Sequence, residues 1–210
     1  MLHEVYRREV LNYSRLLSRH GFFGTQSGAG GNVSCKIKEE SVVAITPSGK
    51  NYHRIETEDV CLTDLDGNVI EGAHQPSVEA GMHLTVYKNR PEIGAVMHTH
   101  PDFASALSII ACKIPLLFDE AVHGLLQPVE LVPYELSGSY ELEQQVASRL
   151  QNGGACYLLQ NHGALSLGAN LEQAFYRAEL LEKCARVYYY ALCTGREITR
   201  LERREDESEC

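Results

Sequence analysis

Nowhere in these 210 residues does an uninterrupted apolar run approach the roughly 20 needed to cross a bilayer. The stretch MLHEVYRREVLNYSRLL mixes acids and bases throughout, unlike a secretory signal. Both observations predict a cytoplasmic protein without membrane contacts. Basic residues are scarce as well: 19 Lys and Arg stand against 28 Asp and Glu, a formal net charge of -9 at pH 7. Such a field repels polyanions and lacks the footprint of a nucleic-acid binder, so an anionic ligand must be captured by local dipoles. No C-x-x-C pair occurs among Cys35, Cys61, Cys112, Cys156, Cys184, Cys193 and Cys210. Their odd number and scatter suit reduced thiols rather than a disulfide framework, with Cys210 simply exposed on a charged tail. No repeat or linker divides the chain, and 44% apolar with 22% charged residues is the balance of one globular domain.

Helices and strands alternate in what remains. Val5, Tyr6, Leu11, Leu16 and Leu17 recur at helical spacing over residues 2–20, with Gly21 as the stop. VSCKI and VVAIT read as a strand pair, and CLTDLDGNVI as two short strands around an Asp-Gly turn. A helix from about residue 77 to residue 89 precedes the strand IGAVMHT, and Pro101 opens another helix through DFASALSIIA. ACYLLQNH and ALSLG are later strands; a long last helix follows, capped by Asn170 and stopped by Gly195. The mixture predicts a single α/β domain with a substantial antiparallel component. The end, RREDESEC, is a charged tail expected to fray.

Chemistry concentrates in AVMHTHPDFASALS, residues 95–108. Residues i and i+2 of a strand share a face, so His98 and His100 are aimed into one space while Thr99 points away. Ile93, Ala95, Val96 and Met97 anchor that strand and lend it the rigidity a metal site requires. By itself the pair reads more readily as two hydrogen-bonded histidines at a sheet edge. A third ligand is needed, and LLQNHGALSLG offers one: another apolar strand ends at His162, before the small Gly163. Three histidines leave a coordination position open, as catalytic zinc sites do. His83 shares a helix face with Glu79 at i, i+4 but belongs to the core face MHLTVY, which predicts a buried, hydrogen-bonded role. His3, His20, His53, His74 and His123 sit where they do not converge with the pair.

Glu79, in QPSVEAGMH, falls in the first turn of its helix, near the positive end of the dipole. A cap and a chemical role are both open to it. Two glycine turns, GAGGNVS with Gly31 and Asn32, and TPSGK with Ser48 and Gly49, can form anion-binding nests of main-chain N–H groups. Each is a weak signal alone, and Lys50 fits a solvated surface lysine best.

GGNVS, ITPSGK, PSVEAGMHLTVY, AVMHTHPDFASALS and LLQNHGALSLGANLEQA stand in this order, and over about residues 5–195 the chain resembles the class II aldolase/adducin family. The resemblance implies a three-layer α/β/α domain over residues 1–195, around a central, largely antiparallel mixed sheet, with 196–210 as a tail. It implies a homotetramer with active sites at subunit interfaces and one divalent ion per subunit, zinc first, manganese or another metal otherwise. His98, His100 and His162 match the family's metal histidines, with Glu79 as a further ligand in the empty site. Glu79 also matches the catalytic acid/base, and Tyr134 a tyrosine that handles the aldehyde oxygen. Gly31, Asn32, Ser48, Gly49 and Ser77 match the phosphate clasp. The implied reaction is reversible cleavage of a ketose 1-phosphate to dihydroxyacetone phosphate and an aldehyde through an enediolate.

Some positions depart from the pattern. Val78 stands where the aldolases often carry serine, Ala29 where threonine is common, and nothing aromatic follows Tyr190. Decarboxylases of 3-oxo sugar-acid phosphates are the alternative reading. The 4-epimerases tend to carry aspartate at the position of Glu79, the methylthioribulose-phosphate dehydratases differ around it, and adducin-like assembly proteins lack the metal set.

Overall fold

The computed structural model describes residues 3–24, 30–37, 40–199 and 201. Within them the order is α1 (Glu4–Arg19), β1 (Asn32–Ile37), β2 (Val42–Ile45), β3 (Cys61–Asp64), β4 (Val69–Glu71), α2 (Ala80–Asn89), β5 (Ala95–Thr99), α3 (Asp102–Ile109), α4 (Asp119–Leu125), β6 (Glu130–Val132), α5 (Tyr140–Leu150), β7 (Cys156–Leu159), β8 (Gly163–Gly168) and α6 (Leu171–Cys193). The strands form one eight-stranded sheet ordered β4-β3-β2-β1-β5-β8-β7-β6. Every pairing is antiparallel except the parallel β6–β7 edge. Residues 25–29, including Ala29, lie outside the described set, as do 202–210 of the tail with Cys210; the six described cysteines are free thiols.

Alternation along the central strands sends successive side chains to opposite faces. Val33, Cys35, Ala95 and Met97 pack with Val10, Leu17, Ala174 and Ala178 from α1 and α6. Val43, Ile45, Val96, Leu165 and Leu167 pack with Met82, Val86, Leu142 and Val146 from α2 and α5. Cys156, Leu158 and Ala164 continue the first face beneath α3, α4 and α6. The sheet is therefore the middle of three layers, as expected. Buried Arg177 ties α6 to the sheet and to α4, donating to Leu167 O at 2.8 Å and to Gly124 O at 3.0 Å.

Two boundaries and one whole stretch differ from the sequence reading. α2 begins at Ala80, because Pro76 bridges to Pro47 and Ser77 N–H donates to Thr46 O, which pins the approach to the end of β2. β7 ends at Leu159, and Gln160, Asn161 and His162 make the hairpin turn into β8, with Asn161 left-handed at φ 54°. Between residues 112 and 154, where the sequence patterns assign no element, the structure adds α4, β6 and α5. α5 buries Leu142, Val146 and Leu150 at helical spacing, and its N-cap Ser139 accepts from Leu142 N–H. β6 is three residues long and α4 seven, too short for periodicity to show.

Candidate metal centre and active site

β5 lies between β1 and β8, and its last turn of pleat carries the first histidine. His98 is fully buried, opposite Asn32 on one neighbour and Leu165 on the other. His98 Nδ1 is hydrogen-bonded to Ala164 O at 3.0 Å. A carbonyl can only accept, so Nδ1 carries a proton and Nε2 is left to face His100 and Glu79. His100 follows the strand, its main chain fixed by N–H donation to Phe22 O at 2.7 Å. The β7–β8 turn brings His162 to the same place.

The three rings stand with centroids 4.6, 4.6 and 5.3 Å apart, and each offers a nitrogen within 4.8 Å of the other two. His98 Nε2 and His100 Nε2 are only 2.8 Å apart. Burial lowers the pKa of both, that of His100 to about 3 with the neighbouring imidazoles adding to it. Three imidazoles whose ring nitrogens converge this closely can all turn a lone pair to one ion once those nitrogens carry no proton, so this donor set fits a divalent metal.

Small residues let the rings approach. A Cβ on Gly163 would lie 2.4 Å from Thr99 O and 2.5 Å from His100 Cδ2. One on Gly30 would meet Phe23 O at 2.6 Å and His100 Nδ1 at 3.2 Å; one on Gly31, at φ 86°, would meet His98 O at 2.5 Å. Neither Gly30 nor Gly163 stands out as a ligand by residue type, yet both shape the site.

Glu79 is the N-cap of α2 without a side-chain cap hydrogen bond, so its carboxylate is spent elsewhere. Oε2 accepts from Asn32 Nδ2 at 2.8 Å and lies 3.3 Å from His98 Nε2; Oε1 accepts from Ser137 Oγ at 2.8 Å and lies 3.1 Å from His162 Nε2. Burial raises its pKa, but His98, His162 and Ser137 outweigh that and hold the carboxyl well below the usual range. Helical spacing carries the polar stripe onward. His83, four residues on, is buried against Ser34 Oγ at 2.7 Å, and that hydroxyl also meets Tyr87 OH at 2.7 Å. As expected, His83 is a core histidine and stands apart from the metal set.

Gly31, Asn32, Ser48, Gly49 and Ser77 line one cavity of about 280 Å³ with Glu79, His100 and His162. Ser48 N–H is committed to Gln75 O, so Ser48 offers its hydroxyl there. Lys50 is not among the lining residues, whereas Tyr52, Val78 and Ser137 are. Tyr52 OH donates to Gly31 O at 2.7 Å and steadies the first glycine turn. Sequence reasoning missed Ser137 and Tyr52, which no motif marks. Tyr134 lies outside this cavity, 56% exposed, with its N–H donating to Gln160 Oε1. A larger cavity of about 490 Å³ lies between α1 and the start of α6, near Tyr13, Cys35 and Asn170. It holds none of the histidines, and donor chemistry rather than size selects the smaller one.

Comparison with known proteins places the chain in a family. The family model for the class II aldolase and adducin N-terminal domain matches residues 8–189. A 5-deoxy-D-ribulose 1-phosphate aldolase of Bacillus thuringiensis is 35% identical over 199 residues, covering 93% of this chain and 89% of that protein. A 3-oxo-tetronate 4-phosphate decarboxylase of Haemophilus influenzae is 30% identical over 173 residues, covering 79% and 80%. A solved L-fuculose 1-phosphate aldolase superposes with a TM-score of 0.89 at 32% identity, covering 96% of this chain and 92% of that one. The chain belongs to the class II aldolase and adducin N-terminal domain family and is an enzyme of its carbon–carbon lyase kind.

Proposed function

We propose that the protein cleaves a ketose 1-phosphate reversibly to dihydroxyacetone phosphate and an aldehyde. The observation that carries this is a cluster of three converging imidazoles, two of which line one cavity with a carboxylate set against His98 and His162 and with two glycine turns and their serine hydroxyls. His98, His100 and His162 would hold one divalent ion, zinc by the donor set, with Glu79 as a further ligand until substrate arrives. When bound, the ion supplies a Lewis acid for the negative charge that develops as the carbon–carbon bond breaks.

The remaining work belongs to the chain itself. Gly31, Asn32, Ser48, Gly49 and Ser77 bind the phosphate through main-chain and hydroxyl donors, local dipoles that offset the net charge of -9. Glu79 delivers a proton to the carbon that the departing aldehyde leaves, and removes it in synthesis. Tyr134 handles the aldehyde oxygen. Its exposure makes it available to a neighbouring subunit's site in the homotetramer that we infer.

A second reading has a specific basis: the decarboxylase relative shows that a similar chain is named for carbon dioxide release. Metal-loaded protein is incubated with ketose 1-phosphates, L-fuculose and 5-deoxyribulose phosphates among them, and separately with 3-oxo sugar-acid phosphates. Dihydroxyacetone phosphate is the expected product; carbon dioxide from the second set alone assigns the decarboxylase.

A further inference from the structure

Ser137 sits on the loop between β6 and α5, 58 residues from Glu79. Its hydroxyl donates to the carboxylate oxygen that faces His162, while Asn32 grips the oxygen that faces His98. The two grips differ in kind. Asn32 is buried in β1, whereas Ser137 is exposed at the rim of the cavity. Its loop is nonetheless held firmly. Gly138, at φ 74°, lies so near the turn before α2 that a Cβ there would meet Val78 O at 2.8 Å. Ser139 N–H donates to Leu136 O, and the Ser139 hydroxyl caps α5. α5 packs on α2, whose N-cap is Glu79, so donor and acceptor ride on one packed unit.

We propose that Ser137 is a positioning residue for Glu79: its hydroxyl fixes the carboxylate against the histidine cluster before any substrate enters. The inference rests on the reading of Glu79 as a proton carrier and extends it to a residue on another element. A glutamate has three side-chain torsions to restrain, and a donor on each oxygen fixes the plane of the carboxylate as one donor cannot. Serine does this without filling the cavity.

Cobalt(II) titration of metal-free protein, followed by visible ligand-field absorption, reports on this arrangement without substrate. Ser137→Ala is expected to weaken cobalt affinity about tenfold, and to lower kcat by a similar factor with KM for the ketose 1-phosphate unchanged. Ser137→Thr, which keeps the hydroxyl, restores both. In a Glu79→Ala background, Ser137→Ala has no further effect on cobalt affinity, because the donor has lost its acceptor. Cobalt affinity unchanged by Ser137→Ala overturns the proposal, as does an effect that persists without Glu79 or a threonine that fails to restore it. If the wild-type protein cleaves no ketose phosphate, the proposed reaction falls, while the cobalt measurements still decide the role of Ser137.

Discussion

Glu79→Gln keeps the size of the side chain and removes its capacity to exchange a proton at neutral pH. Turnover should fall by about 10²–10⁴-fold, with metal content by mass spectrometry unchanged. A variant as fast as the wild type would reduce Glu79 to a structural role. His98→Ala and His162→Ala should each lose the metal, since two imidazoles and a carboxylate replace a set of three converging nitrogens. Retention of a full equivalent in both would remove the ligand assignment. At this scale the histidines were legible because each is tied to a strand pattern, His98 and His100 by i, i+2 and His162 by the apolar run before it. Ser137 was not, because a hydroxyl donating across 58 residues leaves no local trace.

Elements set the spacing of those residues, and the glycines at their ends are the sensitive points. Gly163→Ala would put a methyl 2.4 Å from Thr99 O, and a main-chain oxygen in a central strand cannot yield cheaply. We expect a loss of about 1–3 kcal/mol in urea unfolding, together with weaker metal binding, because His100 must move as well. A Gly163→Ala protein of wild-type stability and metal affinity would show that the hairpin has slack.

α2 carries a second test. His83 is fully buried, and burial lowers its pKa to about 3. The unfolded chain therefore binds the proton more readily than the fold does. Stability from the neutral ring is present above pH 6.5 or so and is lost as pH falls toward 3, by up to about 1.4 kcal/mol per unit. In metal-loaded protein, urea midpoints at pH 7 and pH 5 should differ less for His83→Asn than for the wild type. An equal difference would mean that another group carries the acid response. The start of α2 at Ala80 eluded the sequence patterns because the hydrogen bond from Ser77 N–H to Thr46 O, distant in sequence, sets it, and the turn at His162 because it is closed by His162 N–H donating to Leu159 O within an apolar run.

On the scale of the whole molecule, the rim beside the active site exposes apolar side chains: Val78 at 68%, Leu136 at 69% and Tyr140 at 67%. Such a patch suits the subunit contact inferred above. Native mass spectrometry should give a four-chain species, and Leu136→Glu should split it and lower turnover together; a monomeric, fully active wild type would contradict the interface. Chelation of the metal should lower Tm by several degrees, since an ion that binds only the fold stabilises it by mass action. No shift would mean that the ion contributes nothing to the fold.

By itself the sequence determined the class of fold, the family, the three histidines and the two glycine turns, because these rest on short-range periodicity and on residue types that chemistry rarely substitutes. Only the tertiary structure decided how Glu79 is used. Its carboxylate is free of its own helix and held by Asn32, Ser137, His98 and His162, four groups from separate parts of the chain. Contacts of that kind depend on where the sheet order places β1 beside β5 and where α5 leans on α2, distances that no local pattern encodes.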